Sequence, residues 1–314
     1  MIFVTLSSFG EYDDAPLKAL HASGTPVQIH STGKRITTAE LLAHGQDATV
    51  VIAGVEPYDE ATLAGLPNLR CICRLGVGVD AIDFAAAKSR GIAVTNTPNA
   101  PTPAVAELAL TMMLSLSRNI PRQSLAARAH KWTRMESHLL CGRRVGIVGL
   151  GRIGKRVAEL VSAFGSDVWA ADPYLDVAWA TQHGVRPSSI DEVLTQSDIV
   201  SIHAARSTEA PLKLGASEFA RMKRGAILIN LGRGEMVDEL ALHDALVSGH
   251  LFGAGLDVYP REPYDGPLCD LDNVVLTPHS ATLPVETRTE MERECVRKAL
   301  AFVSGTLSIE ERVL

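Results

Sequence analysis

Three polar residues capable of acid–base chemistry and anion binding follow three successive apolar segments in the second half of the chain. Arg233 lies in NLGRG, Glu262 in DVYPREP and His279 in TPHSA. A carboxylate behind an imidazole fixes its tautomer and stabilises the imidazolium, so that the pair exchanges a proton near neutral pH. A planar, permanently charged guanidinium suits bidentate binding of a carboxylate. Each residue alone is also compatible with a surface role, but the three together predict an acid–base site that binds a small acid.

A glycine-rich segment earlier in the chain predicts a dinucleotide site. Gly149, Gly151 and Gly154 form G-x-G-x-x-G between an apolar segment and a helical pattern. Such glycines permit a tight turn, close approach of a pyrophosphate and close packing of the helix on its strand. Asp172 ends the next apolar segment, where a carboxylate binds the ribose hydroxyls and repels a 2′-phosphate. The pattern favours NAD over NADP; the alternative is a plain tight turn with Asp172 as a helix cap.

Two further segments lie where an open α/β sheet places ligands, at the ends of predicted strands. The turn RLGVGVD at 74–80 contains Gly76 and Gly78, whose consecutive backbone N–H groups suit a carboxylate or another anion. The alternative is an ordinary connection between strand and helix. His203 also ends a predicted strand, and we expect it to form a wall of the cofactor site.

The elements that must position these residues are short, continuously apolar strands alternating with helical patterns, which indicates βαβ units and doubly wound parallel sheets. The predicted strands are Ile2–Leu6, Pro26–Ile29, Thr49–Ala53, Leu69–Arg74, Ile92–Thr95, Arg144–Val148, Asp167–Ala171, Asp198–His203, Ala226–Asn230, Phe252–Asp257 and Val274–Thr277. Helices are predicted over Ile153–Phe164, Ser188–Gln196, Asp238–Ser248, Ala104–His130 and about Val285–Ser304.

Two proline-marked segments divide the chain. The stretch 96–103 (NTPNAPTP) is predicted to be loop, and a second division falls near Pro284. We therefore expect a substrate domain over 1–99 and 286–314, with a smaller flavodoxin-like sheet. The remaining residues, 100–285, form a Rossmann-type NAD-binding domain, and the ligand site is expected in the cleft between the two.

Composition limits the classes of partner. The 314 residues carry a net charge of −6, which gives no electrostatic reason to expect nucleic acid. The longest nearly uncharged stretch, 104–117, is too short to span a bilayer, and the first residues do not resemble a signal peptide. The five cysteines show no disulfide or metal-ligand spacing, so we expect reduced thiols, no metal and a cytoplasmic location.

Together the motifs resemble the D-2-hydroxyacid dehydrogenase family over nearly the whole chain. The matching segments are RLGVGVDAIDFAAAKSRGIAVTNTPN, VAEL, GIVGLGRIGKRVA, NLGRGEMVDE, GLDVYPREP and LTPHSA, in the family's order and spacing. The segments SSFG, GKR and VEP in the first sixty residues resemble the phosphoglycerate-dehydrogenase-like subgroup.

The resemblance implies a role for each site residue. Arg233 binds the substrate carboxylate and its carbonyl or hydroxyl, and His279 is the general acid–base, oriented by Glu262. Val77 and Gly78 supply backbone N–H groups to the carboxylate. The NAD site comprises Thr102, Gly149, Gly151, Arg152, Ile153, Gly154, Asp172, His203, Leu231, Gly232, Arg233, Asp257, His279, Ser280 and Ala281. A homodimer is implied, with the helix after the first hinge at its interface.

Three departures from the family pattern are visible. The segment AARSTE after His203 lacks the family's usual prolines, and the turn after His279 lacks its frequent glycine pair. No segment corresponds to the C-terminal regulatory domain of longer phosphoglycerate dehydrogenases, so amino-acid feedback through such a domain is not expected.

The sequence predicts an NAD-dependent oxidoreductase acting on a small D-2-hydroxy acid and its 2-oxo acid, with 3-phosphoglycerate as one candidate. Reduction of glyoxylate or hydroxypyruvate and oxidation of phosphite are the alternatives within the enzyme class. The alternative from another functional class is an NAD-sensing interaction protein, since such proteins are known with this family's fold. The complete acid–base set favours the enzyme.

Overall fold

The computed structural model describes residues 1–206 and 212–314. The first elements are β1 Ile2–Val4, α1 Ala15–Ala22, β2 Val27–Ile29, α2 Thr38–His44, β3 Val50–Ala53, α3 Glu60–Ala64, β4 Cys71–Arg74, α4 Phe84–Ser89 and β5 Ala93–Thr95. They continue with α5 Pro101–Ser117, α6 Ile120–Arg128, β6 Arg144–Val148, α7 Arg152–Ala163, β7 Asp167–Ala171, α8 Val177–Gln182, β8 Arg186–Pro187, α9 Ile190–Gln196 and β9 Ile199–Ile202. The last elements are α10 Ala216–Arg221, β10 Ala226–Asn230, α11 Glu239–Val247, β11 Leu251–Leu256, β12 Val274–Leu276 and α12 Val285–Val303.

The chain divides into two units. Unit 1 comprises Met1–Pro101 and Thr282–Leu314, and unit 2 comprises Thr102–Ala281. Each contains one parallel sheet, which confirms the predicted fold class of two parallel-sheet α/β domains.

Unit 1 has five parallel strands in the order β2-β1-β3-β4-β5. Side chains alternate between the two faces of each strand, and both faces are covered. Ile2 and Val4 pack in one buried cluster together with Met291 and Cys295 of α12, whereas Phe3 belongs to the cluster on the opposite face. Burial on both faces is the reason that these strands are continuously apolar.

Unit 2 has seven parallel strands in the order β12-β11-β10-β9-β6-β7-β8. Counted within the unit, this is the doubly wound order of a dinucleotide-binding sheet, whose direction reverses between β6 and β9. The sequence did not predict the edge strand β8, because two residues provide no apolar period. Its Arg186 lies over the ring of Trp169 at 4.0 Å, and Arg144 lies over the same ring at 3.9 Å.

One loop prediction and one helix prediction were wrong. The stretch 96–103 is not all loop, because α5 begins at Pro101; proline is accepted in a first helical turn, where its missing N–H has no intrahelical partner. The predicted helix 104–130 is two helices, since Asn119 has a left-handed backbone (φ 50°) and its amide donates to the carbonyl of Glu136. Apart from three strands whose predicted bounds agree with the structure, the edges of the other predicted elements differ by one or two residues.

None of the helices in the described residues is long and apolar enough to cross a membrane.

Candidate active site

The glycine loop lies at the point where the sheet of unit 2 reverses direction. Gly149 has φ 91°, and a Cβ there would lie 2.6 Å from the backbone nitrogen of Ala204, which follows β9. A Cβ on Gly154 would lie 2.1 Å from the carbonyl oxygen of Gly149, so α7 packs directly on the loop. By contrast, a Cβ on Gly151 would meet nothing within 4 Å. The loop is therefore tight where it meets protein and open beside the start of α7, where helix N–H groups favour a phosphate.

Asp172, directly after β7, is tied to this loop by its carboxylate. One oxygen accepts from the backbone N–H of Leu150 at 2.7 Å, and the other accepts from that of Tyr174 at 2.7 Å. Each carboxylate oxygen has a further lone pair, so the group can still accept from ribose hydroxyls. These residues fit a dinucleotide with an unphosphorylated ribose.

Arg233 lies in the loop after β10, and a buried asparagine shapes that loop. The side chain of Asn230 donates to the carbonyl of Arg233 at 3.0 Å and accepts from the N–H of Gly232 at 3.0 Å. The guanidinium of Arg233 donates to the carbonyl of Gly232 at 2.9 Å. The sequence analysis did not single out Asn230. The feature that could have identified it is a single amide side chain at the end of an otherwise apolar, buried strand.

Glu262 and His279 follow β11 and β12 and meet in the structure. Nδ1 of His279 lies 3.0 Å from Oε2 and 3.1 Å from Oε1 of Glu262. A carboxylate only accepts, so Nδ1 carries a proton and Nε2 is left to exchange one. The strands β10, β11 and β12 are neighbours, so the loops bearing Arg233, Glu262 and His279 leave one edge of the sheet in succession.

The turn that carries His279 is held by a buried aspartate. Asp257, 1% exposed, accepts from the backbone N–H of Ser280 at 2.8 Å, from that of Ala281 at 3.0 Å and from the hydroxyl of Thr277. His279 itself has a left-handed backbone with φ 51°, which is costly for a residue other than glycine. The three hydrogen bonds to Asp257 sustain this conformation on either side of the imidazole.

Tyr259 connects all three loops, and sequence reasoning missed it. Its hydroxyl lies 3.0 Å from the carbonyl of Leu256 and 3.1 Å from that of Thr277, at the ends of β11 and β12. Its N–H donates to Glu262 at 3.3 Å. Its backbone packs so closely on Gly234 that a Cβ there would lie 2.0 Å from the Tyr259 carbonyl carbon. Burial raises the pKa of its phenol, which keeps the hydroxyl a donor.

His203 follows β9 beside the glycine loop. Its Nε2 lies 2.8 Å from the hydroxyl of Ser201, and burial lowers the pKa of the imidazole to about 4. The ring is therefore neutral at neutral pH. The unusual segment after it falls partly outside the described residues, because 207–211 are not among them.

The remaining predicted contacts lie on α5 and in unit 1. The hydroxyl of Thr102 is buried and has no partner among the described residues. In unit 1, Val77 and Gly78 follow β4, and the carbonyl of Val77 accepts from the side chain of Asn96 at 2.9 Å. Within 1–206 and 212–314 we find no acceptor for the N–H groups of Val77 and Gly78, so both remain available to an anion.

Comparison with known families gives a match in unit 2. Residues 110–281 match the family model described as "D-isomer specific 2-hydroxyacid dehydrogenase, NAD binding domain". The matched range includes the glycine loop, Asp172, Arg233, Glu262 and His279.

Individual relatives extend the match to most of the chain. D-3-phosphoglycerate dehydrogenase of Mycobacterium leprae is 37% identical over 301 residues, which are 93% of this chain and 57% of that protein. Glyoxylate reductase of Korarchaeum cryptofilum is 36% identical over 260 residues, 80% of this chain and 78% of that protein. The crystal structure of D-lactate dehydrogenase from Aquifex aeolicus, complexed with NAD and lactic acid, matches with a TM-score of 0.87 and 28% identity, covering 99% of this chain and 98% of that one. The chain thus spans little more than half the length of the M. leprae relative.

Proposed function

Because the chain belongs to the D-isomer specific 2-hydroxyacid dehydrogenase family, we propose that it transfers a hydride between NAD and C2 of a small D-2-hydroxy acid or 2-oxo acid. The observation that carries the proposal is the contact of His279 Nδ1 with Glu262, which leaves Nε2 as the proton-exchanging atom. This pair lies in the same unit as a glycine loop and an acidic strand end that fit NAD.

The chain's own residues divide the work on the substrate. When bound, NAD supplies the hydride acceptor or donor at nicotinamide C4. During oxidation, neutral His279 takes the hydroxyl proton at Nε2, and the Glu262 carboxylate stabilises the imidazolium that forms. During reduction, protonated His279 returns that proton to the carbonyl oxygen. Arg233 binds the carboxylate and polarises the carbonyl, while the N–H groups of Val77 and Gly78 also bind the carboxylate.

The cofactor is held, in this proposal, chiefly by the backbone. The first turn of α7 would hold the pyrophosphate and Asp172 the ribose hydroxyls, while Asp257 and the turn 279–281 that it supports would hold the nicotinamide. The full proposed set is Thr102, Gly149, Gly151, Arg152, Ile153, Gly154, Asp172, His203, Leu231, Gly232, Arg233, Asp257, His279, Ser280 and Ala281. We propose unit 2 as the NAD-binding domain and unit 1 as the substrate domain.

The names of similar proteins suggest which substrates to compare. They include phosphoglycerate dehydrogenase, glyoxylate reductase and D-lactate dehydrogenase. We propose a small 2-hydroxy acid, with 3-phosphoglycerate, glycerate, glycolate and lactate to be compared directly. Oxidation of phosphite is a further arm of the same comparison.

We also propose that the protein is a cytoplasmic homodimer. In α6 no residue is buried, and the apolar side chains of Leu125, Trp132 and Leu139 are 60%, 90% and 68% exposed. Several exposed apolar side chains close together in sequence indicate a surface that another protein covers. The family resemblance implies that this partner is a second copy of the chain. Light scattering should give twice the chain mass.

Free thiols at Cys71, Cys73 and Cys295 fit a reducing compartment, and cell fractionation tests the proposed cytoplasmic location.

The test is an initial-rate screen of the hydroxy acids and phosphite with NAD and of the matching 2-oxo acids with NADH, in which the absorbance of the reduced cofactor is monitored. Replacing His279 by glutamine should lower kcat by about 10²- to 10⁴-fold, the range for loss of a general acid–base. The matched control is His243→Gln, since His243 also contacts a carboxylate, Asp244, at 3.3 Å but lies on α11. Full activity in the His279 variant, or no turnover of any acid by the unmodified protein, contradicts the proposal. An NADH-dependent protein partner without turnover would point to a sensor instead.

A further inference from the structure

The sheet of unit 1 reverses direction at a point that the proposed function does not use. In the order β2-β1-β3-β4-β5 the connections reverse direction between β1 and β3. Ligands of open α/β sheets bind at the carboxyl ends of the two strands that flank such a reversal. The loops that leave these strands are 5–10 after β1 and 54–58 after β3. The turn with Val77 and Gly78 follows β4, which is the next strand.

A buried ion pair from α12 holds the first of these loops. Nε of Arg288 lies 3.0 Å from Oε1 of Glu292, and the other carboxylate oxygen accepts from the N–H of Gly10 at 2.9 Å. Nη2 of Arg288 donates to the hydroxyl of Ser8 at 3.3 Å. The two side chains are 11% and 2% exposed, so water screens the pair weakly.

The guanidinium has donors to spare. It carries five N–H groups, and the contacts with Glu292 and Ser8 use two of them. We find no acceptor for Nη1 among the described residues. Ser8 is exposed at the carboxyl end of β1, so this end of the guanidinium lies beside an accessible surface. A largely buried arginine with unused donors at a ligand-binding edge is a site for an oxygen acceptor.

The charges around it define the acceptor. Glu292 neutralises Arg288, so the site offers hydrogen bonds without net positive charge. A second carboxyl group, that of Glu56, lies in the loop after β3; it is 2% exposed and accepts from the hydroxyl of Tyr58 and the N–H of Gly54. Arg35, one of the cations near that loop, is exposed and donates to the carbonyl of Val55. A phosphate dianion would meet two carboxyl groups here, whereas a hydroxyl would not be repelled.

We propose that Arg288 is a specificity-determining residue that binds an uncharged oxygen on C3 of the substrate, which makes 3-hydroxy-2-oxo acids the preferred class. This inference rests on the proposed function, in which the substrate carboxylate binds Val77 and Gly78 of the same unit. The strands β1, β3 and β4 are neighbours, so the loop that contacts Arg288 and the turn with Val77 and Gly78 leave the same edge of the sheet.

The test compares four acids that differ only at C3: glyoxylate, which has no C3, pyruvate, hydroxypyruvate and 3-phosphohydroxypyruvate. Initial rates with NADH are measured for the unmodified protein and for Arg288→Gln and Arg288→Lys. The lysine variant keeps the charge opposite Glu292 and protects the fold if the glutamine variant is unstable. The matched control is Arg293→Gln on the same helix, where a 56% exposed side chain pairs with Asp13.

We expect the unmodified protein to prefer hydroxypyruvate. Arg288→Gln should lower kcat/KM for hydroxypyruvate by about 10- to 100-fold, mainly through KM, as expected for loss of a hydrogen bond from a charged donor. Glyoxylate should change by less than about threefold, the lysine variant should be intermediate, and Arg293→Gln should match the unmodified protein.

Three results would overturn the inference. An equal loss with glyoxylate would mean that Arg288 only holds the loop after β1. A preference of the unmodified protein for the phosphorylated acid would refute the substrate class. No reduction of any of the four acids would instead refute the proposed function, and the role of Arg288 would fall with it.

Discussion

Replacing Glu262 by glutamine removes the negative charge behind His279 while keeping an oxygen that accepts from Nδ1–H. The expected loss follows from the geometry. A carboxylate about 4 Å from the centre of an imidazolium contributes about 1 kcal/mol in water and about 4 kcal/mol near a protein surface. The side chains of His279 and Glu262 are 50% and 35% exposed, so screening favours the lower half of this range, about 1–2.5 kcal/mol. We therefore expect kcat to fall about 5- to 70-fold.

The assay is a double-mutant cycle on kcat for oxidation of the best 2-hydroxy acid with NAD, the direction in which the imidazolium forms, with Glu262→Gln, His279→Gln and both together. Because Glu262 acts through the imidazole, the double variant should be no slower than His279→Gln alone. Glu262→Ala, which also loses the acceptor of Nδ1–H, should be slower than Glu262→Gln. If glutamine at 262 slowed the His279 variant as much as it slowed the unmodified protein, the carboxylate would act independently and the reasoning would be refuted.

Three further predictions concern residues around the site. Tyr259→Phe should lower kcat about 3- to 10-fold with little change in the KM for NADH, because the ends of β11 and β12 lose the hydroxyl that both contact. Tyr264→Phe is the control variant. A change confined to KM would contradict the prediction for Tyr259. In the unmodified protein, the native pKa of His203, about 4, lies below the unfolded value of 6.5, so the unfolded chain binds the extra proton. Its free energy of unfolding should therefore fall by up to about 3 kcal/mol as the pH drops from 6.5 to 4. His203→Gln should remove this contribution and flatten the pH dependence measured by urea unfolding. An unchanged slope in the variant would refute this. Asp172→Ser should reduce the preference in kcat/KM for NADH over NADPH at least about 10-fold, measured with either cofactor, and an undiminished preference would exclude Asp172 as the discriminating group.

The sequence by itself predicted eleven of the twelve strands in the described residues, because the inner strands of a doubly wound sheet are buried on both faces and are therefore apolar. Arg144–Val148, Asp167–Ala171 and Ala226–Asn230 were predicted with the bounds that the structure has. It also placed Arg233, Glu262 and His279 directly after three strands, since parallel strands all end at one edge. Their roles, like the cofactor contacts, remain predictions.

Only the tertiary structure decided which groups meet and what holds them. Three contacts join loops that follow different strands. Glu262 pairs with His279, and Asp257 binds the turn after His279. Tyr259 packs against the loop of Arg233. The break at Asn119 likewise depends on a carbonyl seventeen residues away, that of Glu136. Such contacts have no local period, because hydrogen-bond partners across a sheet are set by strand order and register. The amino-acid pattern encodes burial, whereas the geometry of a catalytic pair arises only when separate strand ends are brought together.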